Sequence, residues 1–165
     1  MTKPDFYADL NRDFQALMTG ESSFLATLAN TSALLFERLD GVNWAGFYLL
    51  EGETLVLGPF QGKIACVRIP VGRGVCGTAV AQNRVQRVDD VHAFDGHIAC
   101  DSASNAEIVL PVVVNNQIIG VLDIDSTVFS RFTAEDEEGL RQLVSQLETI
   151  LAATDYSKFF ATVAG

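Results

Sequence analysis

The sequence predicts an α+β domain in which an antiparallel sheet carries helices packed mainly on one of its faces. Amphipathic segments typical of helices stand near both ends of the chain, and short β-branched runs separated by turn residues occupy its middle. Strands joined by hairpins form antiparallel sheets, and helices at the chain ends then cover one face. Because the 165 residues are 48% hydrophobic and no Pro/Gly/Ser-rich linker divides them, we expect a single domain over 1–165.

Apolar residues at helical spacing predict three main helices. The first covers residues 6–18 and ends at Thr19-Gly20; the second covers 24–39, after Ser22-Ser23. The last opens at residues 130–133, where Thr133-Ala-Glu-Asp136 resembles a capping box, and finishes near residue 156.

The middle of the chain is predicted to be a β-meander with one short helix inserted. Aromatic and β-branched residues favour strands at 44–50, 54–60, 64–69 and 85–88. The short helix, 78–82, follows a glycine-rich loop. A long polar loop, 89–105, then carries His92 and His97, and loops of this length are often functional.

The glycine-rich loop matches the dinucleotide fingerprint G-x-G-x-x-G at Gly72, Gly74 and Gly77. The fingerprint requires a βαβ unit with a helix of ordinary length, whereas only one or two helical turns follow here. We therefore expect these glycines to serve a positive φ or a close backbone approach.

Residues 107–114 and 118–125 predict a hairpin that gathers three carboxylates. With a three-residue turn at 115–117, Glu107 faces Asp125, and Glu107, Asp123 and Asp125 share one face. A two-residue turn would separate them. Like charges at close range raise at least one pKa, so such a cluster favours a ligand site. The alternative is that the two aspartates only lie at the wet end of a strand.

Charge and hydropathy exclude several classes of function. A net charge of −10 argues against nucleic acid and anionic membrane partners. No run approaches the roughly 18 apolar residues of a membrane span, and the polar start lacks a signal-peptide pattern, so we expect a cytoplasmic protein.

The three cysteines, Cys66, Cys76 and Cys100, fit neither a paired disulfide framework nor a zinc motif. A site with His92 and His97 as further ligands would lack the usual short spacings, so we expect no metal and no cofactor. His97 precedes Cys100 by three residues and would help to stabilise a thiolate if charged. Thiol redox chemistry remains, because a thiolate attacks an electrophilic sulfur and a second thiol resolves the sulfenic acid. A buried free cysteine is the commoner fate of any one of them.

Five motifs closely resemble the free methionine-R-sulfoxide reductases, which are stand-alone GAF domains, and together they span most of the chain. They are NWAGFYL (43–49), GPFQGKIAC (58–66), GRGVCG (72–77), HIACDSASNAEIV (97–109) and GVLDIDS (120–126). The resemblance implies a GAF-like fold and the thiol-dependent reduction of free methionine-R-sulfoxide. It also implies thioredoxin as reductant; a homodimer stays open.

The resemblance also implies the site residues. Cys100 would be the nucleophile, Cys66 the resolving cysteine and Cys76 a secondary partner in thiol exchange. The substrate pocket would be lined by two aromatic residues and the three carboxylates: Trp44, Tyr48, Glu107, Asp123 and Asp125.

Elementary chemistry agrees with these roles. Carboxylates can hold the ammonium group of a free amino acid, the indole of Trp44 can face its S-methyl group, and an acid of raised pKa can protonate the sulfoxide oxygen. The rivals are a regulatory GAF module that binds a cyclic nucleotide or similar ligand, and a redox sensor without turnover. About nine residues follow the last predicted helix, so we expect no effector domain within this chain.

Overall fold

Six strands of the described residues, 1–97 and 103–160 of this computed structural model, form one antiparallel sheet with the spatial order β3-β2-β1-β6-β5-β4. The strands are β1 (Val42–Glu51), β2 (Thr54–Gly62), β3 (Arg68–Pro70), β4 (Gln86–Val88), β5 (Ala106–Val114) and β6 (Gln117–Ser126). The predicted α+β class and its antiparallel sheet are confirmed.

The helices lie on both faces, with most of them on one. They are α1 (Lys3–Met18), α2 (Phe24–Arg38), α3 (Gly74–Gln82), α4 (Ala134–Ala152) and the short α5 (Ser157–Phe160), which was not predicted. Helices α1, α2 and α4 bury the larger core against one face of the sheet, whereas α3 covers a smaller core on the other. None of the helices in the described ranges is long and apolar enough to cross a membrane.

Side-chain caps fix where the helices begin. The Thr2 hydroxyl accepts a hydrogen bond from the Asp5 amide, so α1 starts three residues earlier than predicted. At the start of α4, the backbone amide of Thr133 donates to the carboxylate of Asp136, which confirms the predicted capping box. Tyr7 also donates to Asp136 across 2.7 Å, so this carboxylate joins α1 to α4.

The predicted strand over 64–69 exists as β3, but it begins only at Arg68. Only Arg68–Pro70 forms a strand beside β2, while Ile64 is 91% exposed and residues 63–67 lie outside the sheet. Two carbonyls of this segment accept hydrogen bonds from aromatic side chains of β1 instead of from a neighbouring strand. We call residues 63–66 the crossing segment.

The β5–β6 hairpin has the predicted pairing of Glu107 with Asp125 but not the predicted turn. The turn contains two residues, Asn115 and Asn116, and both have positive φ, as a type I′ turn requires. A bulge then changes the register beyond Val113, so that Val112 pairs with Gly120. The bulge adds the residue that the short turn lacks, and the carboxylates therefore keep one face.

The glycine-rich loop is a tight connection into α3. Gly72 and Gly74 have positive φ, and a Cβ on Gly77 would lie 2.4 Å from the carbonyl oxygen of Pro70. The strand after α3 is β4, which pairs antiparallel to β5, so the loop does not belong to a βαβ dinucleotide unit.

Candidate active site

A cavity on the α3 face of the sheet brings most of the predicted site residues together. Residues from β1, β5, β6, α3, the crossing segment and the 89–105 loop surround it. Its polar and aromatic lining consists of Trp44, Tyr48, Cys76, His97, Ser104, Glu107, Asp123 and Asp125.

The sheet register places the carboxylates beside the aromatic residues. In one cross-strand row, Asp125 of β6 stands between Glu107 of β5 and Trp44 of β1. In the next row, Asp123 stands opposite Gly46 of β1. Side chains two residues apart along a strand point to the same face, so the two rows line one cavity.

Trp44 and Tyr48 form an aromatic wall that sequence reasoning predicted in part. The two rings stack at 5.8 Å between centroids, and Phe60 of β2 also stacks on Trp44, at 5.1 Å. Phe60 was missed, although it stands opposite Gly46, where the missing side chain leaves room for its ring. The wall therefore consists of three rings, in which Trp44 stacks with both Tyr48 and Phe60.

Trp44 and Tyr48 also hold the crossing segment. The indole nitrogen of Trp44 donates to the carbonyl oxygen of Lys63 at 3.1 Å, and the Tyr48 hydroxyl donates to that of Cys66 at 2.9 Å. Buried indole and phenol groups need such partners. The wall therefore fixes the backbone that carries Cys66.

Glu107 and Asp123 are buried acids, exposed by only 8% and 5%. Burial raises the pKa of both carboxyls well above their usual range. A neighbouring carboxylate raises each pKa further: Asp123 acts on Glu107, and Asp125 acts on Asp123. Within the described part of the chain, Oδ1 of Asp123 is buried without a hydrogen-bond partner. The cavity can therefore both donate a proton and accept a cationic group.

The two described cysteines differ in oxidation state. Cys66 is half-buried and disulfide-bonded, whereas Cys76 is a free, buried thiol. The Cys76 thiol donates to Oε2 of Glu107 over 3.9 Å. Burial and then the nearby carboxylates raise the pKa of Cys76, so it stays protonated and weakly nucleophilic. Cys100 lies outside the described residues.

His97 and Ser104 reach the cavity from the 89–105 loop. The backbone amide of Gly74 in α3 donates a hydrogen bond to the carbonyl oxygen of Gly96, which ties this loop to α3. Burial and the nearby His92 lower the pKa of His97, so its ring is mainly neutral at pH 7. A neutral ring gives no positive charge to support a thiolate. Ser104 was missed by sequence reasoning; its hydroxyl accepts a hydrogen bond from Asn43.

Metal-ligating atoms do come together here, but not those considered from the sequence. The Sγ of Cys76 and one carboxylate oxygen each from Glu107 and Asp123 lie within 4.8 Å of one another. His92 and His97 do not contribute to this group.

Comparison with known proteins identifies the family. Residues 22–152 match the GAF domain. The chain is 82% identical over the full length of both chains to the free methionine-R-sulfoxide reductase of Escherichia coli K12, and 39% identical to that of Saccharomyces cerevisiae over 87% of this chain and 84% of the relative. The X-ray structure of free methionine-R-sulfoxide reductase from Neisseria meningitidis in complex with its substrate superposes with a TM-score of 0.89 at 42% identity, covering 93% of this chain and 92% of that one. The chain therefore belongs to the free methionine-R-sulfoxide reductases, a family of oxidoreductases with the GAF fold.

Proposed function

We propose that this protein reduces free L-methionine (R)-S-oxide to L-methionine with electrons from a dithiol. The observation that carries the proposal is the buried carboxylate cluster beside a three-ring aromatic wall, with a disulfide-bonded cysteine on the segment that the wall holds. The relatives from Escherichia coli and Neisseria meningitidis, named for this activity, support it.

The substrate is a zwitterion, and its parts match the lining of the cavity. Its ammonium group pairs with Asp123, whose Oδ1 is buried and has no partner among the described residues, and with Asp125 beside it. The S-methyl group packs against the indole of Trp44. Stacking with Phe60 and Tyr48 holds this indole ring in place.

The reaction needs a proton for the sulfoxide oxygen, and the raised pKa of Glu107 supplies a candidate donor. Burial first, and then Asp123, keep this carboxyl protonated at pH values where an exposed glutamate is ionised. The Cys76 thiol donates to Glu107 from the other side and helps to orient it.

Two cysteines share the redox step. The thiolate of Cys100 attacks the sulfoxide sulfur, and the sulfoxide oxygen takes the proton of Glu107. The bond between this oxygen and the substrate sulfur breaks, the oxygen is transferred to Cys100 as its sulfenic acid, and methionine is released. Cys66 attacks the sulfur of Cys100, water leaves, and a disulfide forms that thioredoxin reduces. Support comes from the state of the cysteines: Cys66 is disulfide-bonded, Cys76 is a free thiol, and Cys100 is the remaining cysteine of the sequence. Cys76 takes part only as a secondary exchange partner, because it is buried. A thioredoxin-dependent cycle fits the cytoplasm.

Cysteine variants test the assignment. Cys100→Ser is expected to release no methionine, whereas Cys66→Ser should release one equivalent and then stop with thioredoxin present. Cys76→Ser should keep multiple turnover at a reduced rate. Methionine is counted by mass spectrometry after quenching. Multiple turnover by Cys100→Ser would refute the nucleophile, and multiple turnover by Cys66→Ser would refute the resolving cysteine.

A further inference from the structure

The cavity contains a mixed sulfur and oxygen cluster whose ligand atoms lie close enough together to hold one ion. We propose that Cys76, Glu107 and Asp123 bind a thiophilic divalent cation of the Zn²⁺ type, and that this cation competes with the amino-acid substrate. The cluster combines one cysteine thiol with two carboxyls, a ligand set that zinc accepts.

The distances suit such an ion. Sγ of Cys76 lies 3.9 Å from Oε2 of Glu107, and one ligand atom from each of the three residues falls within 4.8 Å of the others. A tetrahedral zinc ion at ordinary bond lengths separates a sulfur and an oxygen ligand by about 3.6 Å. Small side-chain rotations therefore close the site around an ion.

A second observation points to a ligand at the same place. Asp123 lines the cavity and is 95% buried, since its exposed fraction is 5%, and its Oδ1 has no hydrogen-bond partner among the residues that the structure describes. A buried carboxylate oxygen without a partner is costly, and a cation removes that cost. The cavity leaves the fourth coordination position open to water, as in zinc sites that are not purely structural.

Binding has a consequence for the enzyme. The ion displaces the thiol proton of Cys76 and takes the carboxylate that we assign to the substrate ammonium. The two ligands therefore exclude each other, and a chelator restores the cavity. Competition rests on the proposed function, but binding of the ion does not.

The test uses Co²⁺ alone as a spectroscopic probe of a Cys66→Ser/Cys100→Ser variant, in which Cys76 is the sole thiol. We expect one Co²⁺ per chain and a thiolate-to-cobalt absorption band in the near ultraviolet. Asp123→Asn in that background should weaken binding roughly tenfold or more, since loss of even an outer partner costs a metal site about 10–100-fold. Glu148→Gln, a half-buried acid outside the cavity, is the matched control and should leave binding unchanged.

Three results would overturn the site: no absorption band, a band that survives Cys76→Ser, or equal affinity in Asp123→Asn. Circular dichroism confirms that each variant is folded. In the wild type, Zn²⁺ should raise the apparent KM for free methionine-R-sulfoxide and leave kcat unchanged. A lower kcat at constant KM would refute competition, while an inactive protein that still binds Co²⁺ would refute only the proposed function.

Discussion

The hydroxyl group of Tyr48 donates a hydrogen bond to the carbonyl oxygen of Cys66 across 2.9 Å. Tyr48 also stacks on Trp44, whose indole nitrogen holds Lys63 at the other end of the crossing segment. One side chain thus contacts both the aromatic wall of the cavity and the backbone of the disulfide-bonded cysteine. The position of Cys66 therefore depends on the wall that lines the cavity.

Tyr48→Phe should keep the wall and loosen the crossing segment. The ring and its stacking remain, while the lost hydrogen bond costs about 1 kcal/mol, or roughly a fivefold change in rate if it acts on one step. We expect disulfide formation by Cys66 to slow by that factor and the first release of methionine to change little. Rapid quenching with thiol alkylation measures both steps. Tyr7→Phe loses a hydrogen bond to Asp136 far from the cavity; it is the control and should slow neither methionine release nor disulfide formation. If Tyr48→Phe slowed both steps equally, the hydrogen bond to Cys66 would not act on disulfide formation alone.

Gly46→Ala should displace Phe60 and so disturb the aromatic wall. A Cβ at Gly46 would lie 2.2 Å from Cβ and 2.7 Å from Cα of Phe60, so the strand backbone must shift. Overpacking of this kind costs about 1–3 kcal/mol, and displacement of Phe60 removes the ring that stacks on Trp44. We expect a lower unfolding free energy and a higher KM. Gly58→Ala in the same strand pair, with its nearest contacts at 3.2 Å, should be milder in both; equal effects would show that the contact at Phe60 is not decisive.

The lowered pKa of Asp136 predicts how the free energy of unfolding depends on pH. Burial acts to raise its pKa, but hydrogen bonds from Lys3, Thr133 and Tyr7 outweigh burial and hold the pKa at about 2. Because the folded pKa lies below the unfolded value of about 3.9, the stabilisation is present above about pH 4 and is lost as the pH falls toward 2. Asp136→Asn should therefore cost roughly 2 kcal/mol at pH 7 and much less at pH 2. Urea unfolding at the two pH values measures the difference, and a constant gap would refute the linkage.

The interaction with Asp123 should make the enzyme prefer the free amino acid over methionine sulfoxide within a peptide. A free amino acid brings an ammonium group to the buried Oδ1, whereas methionine sulfoxide within a peptide brings an amide and leaves that carboxylate without its partner. The ammonium group pairs with the ionised form of this buried acid, and loss of that charge pair costs a few kcal/mol or more, about a hundredfold in kcat/KM. We expect the free amino acid to be preferred by at least this factor over an N-acetylated, C-amidated methionine-R-sulfoxide. Similar kcat/KM values for the two substrates would show that the carboxylates do not recognise the ammonium group.

The sequence predicted the element order, the sheet class and the face that carries Glu107, Asp123 and Asp125, because side-chain alternation and helical spacing are local patterns. The turn was misjudged. Asn115 and Asn116 favour a two-residue turn through their tolerance of positive φ, but the compensating bulge near Gly120 depends on pairing across the sheet.

Two further features could not be predicted from local sequence patterns. Residues 64–67 have strand-like composition, yet bonds from Trp44 and Tyr48, about twenty residues earlier, keep part of the segment outside the sheet. Phe60 enters the wall because Gly46 faces it from the neighbouring strand. Such contacts between distant residues decide these positions, and periodicity does not encode them.

The most direct measurement of the central claim is NADPH oxidation by this protein with thioredoxin and thioredoxin reductase. On addition of free methionine-R-sulfoxide, we predict continuous oxidation with one NADPH consumed for each methionine formed, and loss of this activity in Cys100→Ser. Oxidation that stops after a single equivalent per chain, or that never starts with this substrate, would contradict the proposal that the protein is a thiol-dependent reductase of the free amino acid.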